Sequence, residues 1–138
     1  MKRILTTIIC FVLVFAMIGA SSAYAAIESN AYISSFTGAV SVANDGTVTV
    51  NFGTFGTGRM DKIGASAITV YENGSPKTTY YYTNPNYTAT MMGTDAYHFY
   101  GYVTYAGTKG NTYRAFISHY AEKDGGCGSE NLWTASVT

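Results

Sequence analysis

Cysteine, proline, histidine, tryptophan and charge are all scarce in this chain of 138 residues. It holds two Cys, two Pro, two His and one Trp, and Asp, Glu, Lys and Arg together make up 12% of it. One cysteine, Cys10, lies in an apolar N-terminal run, which leaves Cys127 alone in the rest of the chain. An internal disulfide of an exported form is thereby excluded, and a lone Cys there is either a spare thiol or a link to another molecule. Cys127 is accordingly the candidate for a disulfide-linked dimer. A structural zinc site, which draws on several Cys and His ligands, has too few here. Low charge with no basic cluster argues against nucleic acid and anionic membrane as partners; "RMDK" and "EKD" mix signs within a few residues.

The N-terminus reads as a secretory signal peptide. Lys2 and Arg3 precede an apolar run, Ile4 to Gly19, and "SSAYA" then offers the Ala23-x-Ala25 pattern of a cleavage site. The run is shorter than the roughly 20 residues of a membrane-spanning helix. Cys10 follows isoleucine rather than the small residue a lipid-modified Cys requires. Cleavage after Ala25 predicts a signal peptide over residues 1–25 and one secreted domain over residues 26–138, with two more acids than bases and no membrane attachment.

Past residue 30 the pattern is one of strands. Twelve tyrosines, many threonines and repeated period-two alternation suit pleated sheet, and turn residues separate the runs. "AYISSFT" predicts a first strand. "AVSVANDGTVTVNF" predicts a hairpin turning at Asp45-Gly46, and "ASAITVYENGSPKTTYYYT" a second turning at Asn73-Gly74. Tyr97 to Tyr105 and Thr112 to Ala121 read as a third. "EKDGGCGSE" reads as a Gly-rich loop before a last strand, "NLWTASVT". About seven strands at this spacing predict an all-β fold, a single antiparallel immunoglobulin-like or fibronectin-III-like β-sandwich, with a small closed barrel as the competing architecture. Tyr113 opens the penultimate strand, where such folds keep a Tyr whose hydroxyl bonds back to the preceding corner.

One phrase breaks the Thr/Tyr/Gly texture: "MDKIG", Met60 to Gly64. Met60 and Ile63 are three apart, so a single helical turn would aim both into the core. Gly64 suits the end of such a turn and Asp61 its first turn. The phrase therefore predicts a plug over the open end of a sandwich. Asp61 and Lys62 as a catalytic pair would need a third partner that the chain does not supply.

The chain, this phrase included, resembles a group of small secreted β-rich proteins of Gram-positive bacteria, a domain of unknown function. The residues that carry the likeness are "RMDKIGASAITVYENG" and "MMGTDAYHFYGYVTYAGTKGNTYRAFISHYAEKDGG". They match an "MD-x-IG" phrase leading to an "I-x-[VL]-YE" strand, then "M-[LM]-[GA]-x", a "V-[ST]-Y-x-G" strand and a "Y-x-A" strand before a Gly-rich loop. The resemblance spans residues 30–138 in order. It implies export and a β-rich fold, and it carries over no catalytic residues. Cys127 departs from the group, which has a small or acidic residue there.

Chemistry-bearing constellations are sparse. His98 and His119 fall on neighbouring predicted strands with Glu122 and Asp124 close in sequence, but a zinc centre would need a third ligand and oriented partners. His119 shares parity with Ala115 and Ile117 and so reads as a residue at the edge of the buried face. Cys127 sits in a predicted flexible loop, no nucleophile elbow occurs, and the acids form no pair of the glycosidase kind. The sequence thus predicts no catalytic residue, no metal site and no cofactor. The aromatic pattern is richer. His98, Tyr100 and Tyr102 oppose Phe99, Gly101 and Val103, while Tyr71 opposes Ile68 and Val70. The run of tyrosines ending in Tyr82 turns at least one ring outward. Tyr71, Tyr81, Tyr100 and Tyr102, joined by Trp133 if the last strand pairs with Thr112 to Ala121, are the candidate face for a protein partner or an envelope glycan. The chain reads as a secreted or cell-surface, non-catalytic interaction module, with a carbohydrate-binding module as the alternative.

Overall fold

The computed structural model describes residues 31–138, so the signal-peptide reading of residues 1–25, with Cys10 and cleavage after Ala25, lies outside the described residues. Within them the class is all-β. The elements run β1 (Ile33–Val42), β2 (Thr47–Glu72), β3 (Ser75–Tyr81), a single helical turn α1 (Thr88–Met91), β4 (Met92–Ala106), β5 (Tyr113–Lys123) and β6 (Gly126–Trp133).

β2 organises everything else. It is 26 residues long and pairs antiparallel with β1, β3, β4 and β5. Its first half lies between β1 and β4, since Val48 faces both Val42 and Tyr105. Further along, Ile63 faces Gly93 of β4 and Ala121 of β5, which puts those strands on opposite edges. The last part lies between β3 and β5, and β6 extends the sheet beyond β5. All six strands therefore form one sheet, where the sequence suggested two sheets and about seven strands. The sheet curls so that its halves share a core: Val48, Val50 and Phe52 of the first half cluster with Ile68, Val70, Ala115 and Ile117 of the second. Tyr80 of β3 helps close the curl by donating to the Thr104 carbonyl of β4 at 2.8 Å.

Two of the predicted turns stand as read. Asn73 and Gly74 have φ of 50° and 83°, the positive pair that a two-residue hairpin turn demands. At the first hairpin Gly46 has φ 89° and the Asp45 carboxylate accepts from the Thr47 amide at 2.9 Å. The third hairpin is not one. β4 and β5 pair with β2 on opposite edges, and the link between them crosses the end of the sheet. Tyr113 anchors that link: its hydroxyl accepts from the Thr108 amide at 2.6 Å and donates to the Thr108 carbonyl at 3.2 Å. The expected bond from tyrosine to corner is thus present.

The plug is found elsewhere in the chain. Met60 and Ile63 are buried, 2% and 0% exposed, but in extended conformation inside β2. An isolated turn secures almost no backbone hydrogen bonding, whereas Lys62 to Gly64 in the strand are laddered on both edges, which decides for the strand. Three residues apart, the two side chains would leave opposite faces of a straight strand. Both side chains nevertheless join one small cluster with Ile33 and Ala121. The helical turn that seals the main core is α1, whose Met91 is 0% exposed. Gly64 serves that packing, because a Cβ there would strike the Met91 carbonyl.

Candidate binding faces

Alternation along the ladders gives the curled sheet two outer faces. The first belongs to β1, the first half of β2, and β4. Tyr100 and Tyr102 are opposite Gly53 and Asn51 of β2, and these are opposite Thr37 and Ala39 of β1. Their rings are 65% and 50% exposed. His98, opposite Phe55, extends the row. Phe55 stacks on His98 with centroids 5.9 Å apart, and Tyr100 meets Phe55 edge-on at 5.4 Å. Gly53 leaves room for the Tyr100 ring, which a side chain there would press against. Thr37, Thr49, Asn51 and Thr104 share this face, and none of the side chains in these rows carries a fixed charge. At one end Tyr97, 60% exposed, lies beneath the guanidinium of Arg59, whose fork is bound by both oxygens of Asp95 at 2.6 and 2.9 Å.

The second face belongs to β3, the last part of β2, β5 and β6. Tyr71 is opposite Arg114, and Phe116 is opposite Trp133. Tyr81, 55% exposed, is opposite Ala67, which is opposite Ser118 and in turn Asn131. The five candidate residues therefore fall in two separate sets of ladder rows. Tyr100 and Tyr102 are on the first face, and Tyr71, Tyr81 and Trp133 are on the second. Trp133 does pair its strand with β5, as the reading required, and its ring meets Tyr71 at 4.9 Å. The separation follows from β2: residues 47–55 and 67–72 of one strand lie in different halves of a bent sheet.

The histidines face different ways. His98 is on the outer face of β4, whereas His119 is fully buried with Phe36 and Phe52 rings at 5.0 and 6.0 Å. His119 is thus deeper than the edge position its parity suggested. Burial lowers its pKa from 6.5 to about 4, so the imidazole is neutral at physiological pH. Among the described residues no three His, Cys, Asp or Glu side chains gather as a metal site would require.

Asp61 has a structural partner: its carboxylate accepts from the Asp124 amide at 2.9 Å, pinning the turn between β5 and β6. Lys62 lies 3.8 Å from Glu122, to which Tyr120 donates at 2.8 Å. Cys127 is exposed, as expected, but its setting is different. Asp124 and Gly125, with φ of 51° and 79°, make a tight turn, and Gly126 opens β6 at once. Cys127 therefore sits in a strand opposite Glu122, not in a loop. The glycines read as flexibility, although an Asp-Gly turn flanked by pairable residues is equally a hairpin signal. Arg114 and Phe116, central to the second face, were not singled out in the sequence. Their outward parity beside the inward Ala115 and Ile117 was the available signal.

No family model and no curated protein matches the chain.

Proposed function

We propose that the protein is a secreted, non-catalytic interaction module that binds a protein or an envelope component through the Tyr100–Tyr102 face. The observation that carries this reading is the exposure of two tyrosines, 65% and 50%, two residues apart on one side of β4, with the Tyr100 ring held edge-on by Phe55 and His98. Large rings held rigidly at a surface lose little freedom on binding, and Tyr offers both a flat apolar ring and a hydroxyl. The signal-peptide pattern and the resemblance to secreted proteins support the extracellular part. Carbohydrate is the second reading, favoured by the uncharged hydroxyl and amide groups of Thr37, Thr49, Asn51 and Thr104 beside the rings.

The test is retention on isolated cell walls, on immobilised envelope proteins and on neutral polysaccharides, for the wild type and for Tyr100→Ala/Tyr102→Ala. Both side chains are at least half exposed and outside the core clusters, so the double variant is expected to keep its melting temperature. A loss of about tenfold or more in affinity supports the face, at the scale of interface hot spots. Equal retention of both proteins overturns it.

A further inference from the structure

The described residues include two arginines, and they are used in opposite ways. Arg59 has its fork filled by Asp95. Arg114 has no hydrogen-bond or salt-bridge partner among the described residues. Instead its guanidinium carbon lies 4.2 Å from the Trp133 ring centroid and 5.7 Å from that of Tyr71. Trp133 is itself wedged between Tyr71 at 4.9 Å and Phe116 at 4.8 Å, and is still 44% exposed. Glu72, the acid next along β2, is engaged by Asn111 at 2.9 Å and Tyr105 at 3.4 Å. Lys77 lies exposed on β3 beside Pro76, the residue opposite Tyr71, and makes no ion pair among the described residues. The ladder rows around Trp133 otherwise carry Thr69, Thr79, Ser118 and Asn131, with no carboxylate among them.

We propose that Arg114 and Trp133 form a second binding site, for the carboxylate of an acidic polysaccharide built from uronic acids. The contact with Trp133 restrains the half-buried Arg114 side chain while its guanidinium N–H groups have no partner among the described residues, and a guanidinium fork matches a planar carboxylate through two parallel hydrogen bonds. A carboxylate borne directly on a pyranose ring lets one residue make two contacts, its charge on Arg114 and its C–H face on the open part of Trp133. A phosphodiester chain holds its charge apart from its sugar and makes the two contacts less well together. Lys77 adds a second positive charge without an acid to cancel it. The site lies on the opposite half of the sheet from Tyr100 and Tyr102, so the two surfaces stand or fall separately.

The test is affinity electrophoresis and calorimetry of the purified chain with polygalacturonate, with amylose as the neutral control and a glycerol-phosphate polymer as the phosphate control. Polygalacturonate is expected to bind, more weakly as salt rises, and neither control to do so. Arg114→Gln is expected to weaken binding about tenfold. Arg114→Lys keeps charge and stem but lacks the fork, and is expected to weaken it several-fold with the fold intact. That second variant decides the matter if Arg114→Gln lowers the melting temperature. Tyr100→Ala/Tyr102→Ala is expected to bind polygalacturonate as the wild type does. Absence of polygalacturonate binding, wild-type binding by Arg114→Lys, or preference for the phosphate polymer would each overturn the proposal. Loss of uronate binding in the tyrosine pair alone would overturn it while leaving the Tyr100–Tyr102 reading in place.

Discussion

The hydroxyl of Thr54 lies 2.7 Å from Nδ1 of His119 in the core, joining residues 65 positions apart in the chain. Thr54 also donates to the Gly64 carbonyl at 2.9 Å. With that proton committed, Nδ1 carries the imidazole proton and donates to Thr54, leaving Nε2 buried as a bare acceptor without a partner among the described residues. The imidazole is tolerated there only while neutral. Phe36 and Phe52 pack against it, and Glu130 of β6 is the acid opposite it in the ladder.

Stability is therefore expected to fall in acid. At pH values above 6.5 the imidazole is neutral in both folded and unfolded chains, and the group adds no pH dependence. Between 6.5 and about 4 the unfolded chain takes up a proton that the folded chain refuses, so stability drops as the pH drops. The loss is roughly 3 kcal/mol across that window and ends once the folded imidazole is protonated too. Urea denaturation at pH 7, 5.5 and 4 should show it, and His119→Phe should flatten the curve over that range. Parallel curves for the two proteins would show that His119 does not carry the effect.

Ile63 is 0% exposed where β2 passes between the halves of the sheet. Ile63→Ala is expected to cost about 2–4 kcal/mol, the range for a buried aliphatic truncation. Denaturant midpoints of the variant and the wild type give the value, and an unchanged midpoint would mean that the middle of β2 is loosely packed.

Cys127 is exposed on β6 and should react fully with a thiol reagent in the native protein. Under oxidising conditions a fraction of the protein is expected to run as a dimer on non-reducing gels, and reductant or Cys127→Ser should abolish it. A native thiol that resists labelling would show that the β5–β6 hairpin is covered in solution.

Much of the first face was legible before any coordinates. His98, Tyr100 and Tyr102 alternate with Phe99, Gly101 and Val103, and a strand turns alternate residues to opposite sides whatever its neighbours are. The same rule brought Tyr71 out and Ile68 and Val70 in. Tyr113 was recognisable because its bond to Thr108 spans only five residues. Residues 60–64 misled for the converse reason. A spacing of three between Met60 and Ile63 fits a helical turn, and the ladders that override it come from β4 and β5, thirty to sixty residues away in sequence.

The sequence by itself determined the all-β class, the inward and outward parity of its strands, and the Asp-Gly and Asn-Gly turns, because each depends on residues within a few positions of one another. Only the tertiary structure decided that one strand runs unbroken from Thr47 to Glu72 and serves both halves of the sheet. That bend separates Tyr100 and Tyr102 from Tyr71, Tyr81 and Trp133, and brings Thr54 to His119. Which edge of β2 each strand takes depends on how the core closes across the whole chain, and period-two alternation reads the same on either edge.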